Sequence, residues 1–169
     1  PSSSRFVRFC YAFYRPFEQQ LLNRASIIFA TSSSYVEGSQ ALRNNLSKVK
    51  VLPLGLDTRR LPDPDQLQPM DRPQGSPLVL FLGRLAGYKG LPTLLNSIAR
   101  LPDVHCWLVG DGSERRILED EVARLKIQDR VRFVGAVNEE QKWRYLKTVD
   151  VVVLPSTDKN EAFGMVILE

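Results

Sequence analysis

The sequence predicts an α/β fold, a parallel sheet with flanking helices, and three observations carry that prediction. Six short runs rich in apolar and β-branched residues recur along the 169 residues. Most of them are continuously apolar rather than alternating, as strands covered on both faces are. Amphipathic stretches of helical period separate the later runs, with short connections between them.

Taken in order, the runs are Ser26–Thr31, Val49–Pro53, Leu78–Gly83, Val104–Gly110, Val131–Gly135 and Val151–Pro155. Gly90–Leu101 places Leu91, Leu94, Leu95 and Ile98 on one stripe. Glu114–Leu125 does the same with Ile117, Leu118, Val122 and Leu125, and Asn138–Thr148 follows with Trp143 and Tyr145. Residues 58–77 interrupt the alternation with Pro62, Pro64, Pro73, Pro77 and Gly75, a composition that predicts an exposed linker. Only two strands precede it, too few for a complete doubly wound domain. The expected organisation is therefore the end of one α/β domain over residues 1–57, the linker, and most of a second domain over 78–169.

Composition narrows the function classes. With 43% hydrophobic and 25% charged residues, the chain can bury one sizeable core. The net charge of +4 suits an anionic ligand or membrane surface but is too small to argue for nucleic acid. Cys10 and Cys106 have no metal spacing and read as reduced thiols of a cytoplasmic protein. His105 is the only histidine and sits within an apolar run, so a core role is expected and no metal site is proposed. No run reaches the roughly 18 apolar residues of a membrane helix. Phe6, Phe9, Tyr11, Phe13, Tyr14 and Phe17, with Arg5, Arg8 and Arg15, suggest an amphipathic packing helix, a membrane-surface face being the rarer case. Ser32–Ser34 reads as a loop at the end of the first strand. Pro1 and Glu169 both read as cuts in a longer protein.

Three segments could carry chemistry. Leu78–Leu82 ends in Gly83-Arg84-Leu85, and Gly87-Tyr88-Lys89-Gly90 then opens a helix. Ligands of open parallel sheets sit beyond the C-terminal ends of the strands, where Arg84 offers a planar fork for phosphate and Lys89 a movable point charge. The same two residues read equally well as solvated charges on a surface loop. Gly110-Asp111-Gly112-Ser113 is explained by a strand-to-helix turn with Ser113 as cap, though the glycines would also admit a ligand close to the backbone. After Leu154 comes a polar loop leading to Glu161, Phe163, Gly164, Met165 and Glu169. If that segment is a helix, its free N–H groups at Phe163–Val166 form an anion site. Taken alone, a capping Glu161 and a solvated Glu169 explain the two carboxylates.

Together these pieces resemble glycosyltransferase family 4, whose members have the GT-B fold. The matching stretches are Ile27–Ser33, Val51–Asp57, Leu80–Gly90, Trp107–Gly112, Val131–Gly135, Val151–Ser156 and Glu161–Glu169, in the family's order and spacing. The arrangement is similar to bacterial members that build cell-surface polysaccharides. The resemblance implies two Rossmann-like domains, the first binding an acceptor and the second a nucleotide-diphosphate sugar. The second would be incomplete at its C-terminus here. It implies that Arg84 and Lys89 grip the donor diphosphate and stabilise the departing nucleotide, next to Gly83. Glu161 would contact the transferred sugar, and Phe163, Gly164 and Met165 would offer backbone N–H groups. Glu169 would hold the ribose, and Val134 and the loop after it would lie against the base. Retention of anomeric configuration is implied, with no metal and no cofactor. The glycine-rich loop and acceptor residues of the family lie upstream of Pro1, so the piece by itself is expected to be inactive.

Two other readings share the scaffold. A sugar-nucleotide epimerase or a phosphorylase would use the same sheet, the latter with a lysine-bound pyridoxal cofactor. A non-catalytic nucleotide-sugar-binding module would need none of Arg84, Lys89, Glu161 and Glu169. The expected partners are a nucleotide-sugar donor and a glycan or lipid-linked acceptor, with peripheral membrane contact plausible and nucleic acid not expected.

Overall fold

The computed structural model describes residues 5–157 together with Val166. Glu161, Phe163, Gly164, Met165 and Glu169 lie outside the described residues. The chain divides between Gly55 and Leu56 into two compact units.

The first unit begins with helix α1 (Arg5–Arg24), which carries Pro16 in its interior. Strands β1 (Ile28–Ala30) and β2 (Val49–Val51) pair in parallel, Ile28 opposite Val49. Between them lie the short helix α2 (Ser33–Gly38) and a 3₁₀ segment, Arg43–Lys48. Ser32, expected in a loop, is instead the N-cap of α2, its hydroxyl accepting from the Tyr35 N–H at 3.1 Å. Helix α1 is tied to the 3₁₀ segment through its polar side. Gln19 donates to the Ala41 carbonyl, and Asn23 meets both Asn45 and Lys48. Phe9, Phe13, Phe17 and Leu21 are exposed, so the expectation that this aromatic start packs is not met among the described residues.

The second unit is a four-stranded parallel sheet in the order β5-β4-β3-β6, formed by β3 (Leu78–Leu82), β4 (His105–Val109), β5 (Val131–Gly135) and β6 (Val151–Val152). Alternation along the strands feeds two cores. Phe81, Cys106 and Leu108 face one side, against Leu91, Leu94, Leu95 and Ile98 of helix α3 (Leu91–Ala99) and Leu118 and Val122 of helix α4 (Arg115–Leu125). Leu78, Leu80, Trp107 and Val109 face the other, against Tyr145 of helix α5 (Glu139–Thr148). The rings of Trp107 and Tyr145 meet edge to face, 5.3 Å between centroids. Full burial of each Leu or Phe here contributes about 1.5–3 kcal/mol, which explains why these runs read as continuously apolar.

Local chemistry sets the helix ends. A capping box between Asn138 and Gln141 starts α5. The Arg130 guanidinium donates to the carbonyls of Ile98 and Leu101, at 3.0 and 2.7 Å, and so closes α3. Ser113 does not cap α4 as expected: Glu114 holds the N-cap position and no side chain bonds there. His105 begins β4 half-buried, at the rim of a surface pocket with Asp71, Trp107 and Arg132, rather than in the core. Cys106 is fully buried, and burial pushes its thiol up to about 12.

Residues 58–77, expected as an exposed linker, group with the second unit. Lys147 donates to the Pro64 carbonyl, Arg144 to that of Gln68 at 2.9 Å, and the Met70 N–H to the Thr148 hydroxyl at 2.7 Å. Arg72 makes a bidentate pair with Asp150 at 3.0 and 2.5 Å. The segment is thus fastened along the C-terminal half of α5 and the start of β6.

Candidate functional site

The strand order creates one topological switch point. From β3 the chain moves through α3 to β4 and through α4 to β5. It then returns through α5 to β6, on the opposite side of β3. The connections on the two flanks of β3 therefore diverge, leaving a crevice beyond the C-terminal ends of β3 and β6, where open α/β sheets take their ligands.

The loop after β3 carries Arg84 and Lys89 at this point. Its path is fixed by the neighbouring loop. The Gly83 N–H donates to the Val109 carbonyl at 2.9 Å and the Leu85 N–H to that of Asp111 at 3.0 Å, while the Glu114 N–H donates back to the Leu85 carbonyl at 3.1 Å. This zipper explains the glycine pair after β4. A Cβ on Gly110 would stand 1.9 Å from the Gly83 oxygen, and one on Gly112 would stand 2.3 Å from the Leu85 oxygen. These glycines admit protein backbone, not a ligand.

Leu85 is fully buried, so Arg84 before it is turned outward and exposed. Lys89 is buried, only 8% exposed, at the end of the 3₁₀ turn Gly87–Lys89. Its ammonium lies 5.2 Å from the Tyr88 ring centre and 4.0 Å from the place of a Cβ on Gly83. Its burial holds the cation at the strand end rather than out in water. Gly90 follows in the left-handed region, φ +66°, and helix α3 starts there with no side-chain cap on its first N–H groups. The positive end of the helix dipole thus adds to the field of the two cations.

The loop after β6 forms the other wall. Pro155 packs against Gly90, and the Thr157 N–H donates to the Tyr88 carbonyl at 3.1 Å. Sequence reasoning placed Gly90 at the opening of a helix and Pro155 and Thr157 at the start of a polar loop, but gave none of the three a role. The Lys89-Gly90 pair before a helix was the available signal, because a left-handed turn there demands glycine. Arg115 was also missed. It bonds Glu119 at 2.9 Å, approaches Asp111 at 3.8 Å and lies over the Phe133 ring at 5.8 Å, bracing the loops after β4 and β5. At the end of β5, the register shifts so that Leu108 pairs with Phe133 and Val109 with Gly135, leaving Val134 as the extra residue of a bulge. The Val134 side chain packs against the Trp107 core, so only the backbone and loop beyond it face outward.

No group of metal-ligating side chains occurs among the described residues. The site as described therefore offers cations, a helix start and backbone N–H groups, a set suited to an anionic phosphate.

Residues 63–169 match the family model described as glycosyl transferases group 1. The chain belongs to the group 1 glycosyl transferases. This group 1 glycosyl transferase is 35% identical over 162 residues to the O-antigen chain mannosyltransferase C of Escherichia coli, covering 92% of the chain and 42% of that protein. Among solved structures it is similar to the sucrose-phosphate synthase of Thermosynechococcus elongatus, with TM-score 0.72 and 28% identity over 92% of the chain and 40% of that structure. It is also similar to Anabaena HepE, solved in complex with UDP and glucose, with TM-score 0.68 and 25% identity over 92% of the chain and 44% of that structure. The chain spans less than half the length of the curated relatives it matches. The neighbours are GT-B glycosyltransferases, in agreement with the parallel sheet and flanking helices expected from sequence. Among the described residues, no helix is long and apolar enough to cross a membrane.

Proposed function

We propose that the whole protein is a retaining glycosyltransferase of family 4 type that moves a sugar from a UDP- or GDP-sugar to a glycan or lipid-linked acceptor. The observation that carries this reading is the position of Lys89, a buried cation on the loop after β3 at the switch-point crevice, with Arg84 on the same loop. HepE, solved with UDP and glucose, supports a uridine nucleotide as the first donor to try.

In this reading Arg84 and Lys89 hold the donor diphosphate. The bond between the anomeric carbon and the diphosphate oxygen breaks, and the acceptor oxygen forms the new bond on the same face of the sugar. Negative charge grows on the leaving diphosphate as the bond breaks, so both cations bind the transition state more tightly than the ground state. The acceptor proton passes to the leaving phosphate. Gly83, with no side chain, leaves room for the diphosphate beside Lys89. Glu161 is assigned to the hydroxyls of the transferred sugar and Glu169 to the ribose. Phe163, Gly164 and Met165 are assigned to the sugar and phosphate through their backbone N–H groups, and the loop after Val134 to the base. No metal or cofactor is required. A cytoplasmic location with peripheral membrane contact belongs to the same reading, because lipid-linked acceptors lie at the membrane surface.

The test uses the whole protein with isotope-labelled UDP- and GDP-sugars and a panel of glycan acceptors. Transfer with the product's anomeric configuration matching the donor's, read by NMR, is the expected result. An inverted product would overturn the retaining mechanism. A free epimerised sugar with no acceptor product would point to an epimerase instead.

A further inference from the structure

Gly90 stands where two loops meet. Its φ of +66° lies in the left-handed region, and a Cβ added there would fall 2.0 Å from the Pro155 carbonyl oxygen, 3.0 Å from its carbonyl carbon and 3.1 Å from Thr157 Cγ2. Two of these atoms are backbone, so they cannot yield by a change of rotamer. Beside this contact, the Thr157 N–H donates to the Tyr88 carbonyl at 3.1 Å. The two contacts fasten the loop after β3 to the loop after β6, which are the two walls of the switch-point crevice.

We infer that Gly90 is a positioning residue for Lys89: the missing side chain lets the Pro155–Thr157 loop lie against the Lys89 turn, and this contact fixes where the ammonium meets the donor diphosphate. The inference rests on the proposed role of the crevice as a diphosphate site. It singles out Lys89 rather than Arg84 for a structural reason. Lys89 adjoins Gly90 and is buried, so its ammonium moves with the turn. Arg84 lies six residues earlier, is exposed, and belongs to the part of the loop zipped to residues 109–114 instead. A displacement of about 1 Å at a binding group is enough to cost a large factor in affinity or rate.

Substituting a left-handed glycine also strains the backbone, and Gly75 separates the two effects. Its φ is +73°, nearly that of Gly90, yet a Cβ there would meet nothing within 4 Å. Gly75→Ala therefore carries the backbone cost without the collision.

The experiment is a calorimetric titration of UDP and of GDP onto the whole protein, for the wild type, Gly90→Ala, Gly75→Ala, Lys89→Ala, Arg84→Ala and the doubles of Gly90→Ala with each cation variant. Gly90→Ala is expected to weaken the bound nucleotide about tenfold, and Gly75→Ala to leave it unchanged. In the Lys89→Ala background the Gly90 effect disappears, while in the Arg84→Ala background it persists in full, which is the signature of coupling through Lys89 alone. If Gly90→Ala does not fold, Thr157→Pro replaces it, since it removes the N–H bond to Tyr88 without adding bulk at position 90, and the same pattern is expected. Unchanged affinity in Gly90→Ala, or equal effects in both backgrounds, overturns the positioning role and leaves the functional reading standing. A wild type that binds neither nucleotide overturns the functional reading, and this inference with it.

Discussion

The Lys89 ammonium lies 4.0 Å from the point where a Cβ on Gly83 would stand, so the first residue after β3 and the loop's buried cation share one space at the strand end. Gly83 itself has φ +151°, and the Phe81 ring lies 3.4 Å from the same point. Gly83→Val is expected to push against both the ring and the ammonium. Nucleotide affinity should fall about tenfold or more; Gly83→Ala carries the same backbone strain at φ +151° but a smaller collision, so its loss should be smaller. Titration of UDP and GDP onto both variants checks the order.

Asp150 responds to acid. The Arg72 guanidinium and, after it, the Leu78 N–H hold its carboxyl below the ordinary 3.8. A carboxyl depressed in the folded state adds stability that is present above its unfolded value and lost as pH falls through the folded one. Asp150→Asn should therefore lower the denaturant midpoint at pH 7, and the gap from wild type should close as pH drops below about 4. Urea titrations at both pH values measure it; a gap that widens in acid would contradict the assignment.

The two cysteines should differ sharply in reactivity. Cys10 is exposed, whereas Cys106 is buried with its thiol pushed up to about 12. In the native protein iodoacetamide should modify Cys10 and spare Cys106, and both should react after denaturation. Peptide mass spectrometry reads the outcome.

Leu95 has no exposed surface and packs between the sheet and α4. Leu95→Ala should cost about 2–5 kcal/mol, the range for a buried leucine whose cavity cannot collapse. Arg130→Ala removes the donors that close α3 and should cost about 1 kcal/mol. Denaturant unfolding monitored through the buried Trp107 gives both values.

The fold was legible because burial on both faces writes a continuous apolar run, and all six runs form strands. Strand ends were less legible: β6 stops at Val152, since the residues after it turn to meet Gly90 rather than a strand. Composition showed residues 58–77 as irregular and proline-rich but not where they attach, because the bonds of Arg72 to Asp150 and Thr148 come from distant sequence and leave no local pattern. The turn reading of Gly110 and Gly112 leaves their close neighbours unnamed, because a glycine that admits a neighbouring loop looks the same in sequence as one that admits a ligand. Arg84 and Lys89 were legible as cations after a strand. That Lys89 is buried and Arg84 exposed follows from the turn at Gly90 and the anchor at Leu85, which only three dimensions reveal.

The central claim is that Arg84 and Lys89 form a diphosphate site at the β3–β6 switch point. The most direct measurement is the affinity of the whole protein for UDP and GDP in the wild type, Arg84→Ala and Lys89→Ala, at low and moderate salt. The account predicts binding of at least one nucleotide by the wild type and losses of about tenfold to a hundredfold in each variant, larger for buried Lys89 than for exposed Arg84. Wild-type affinity retained in both variants would contradict it.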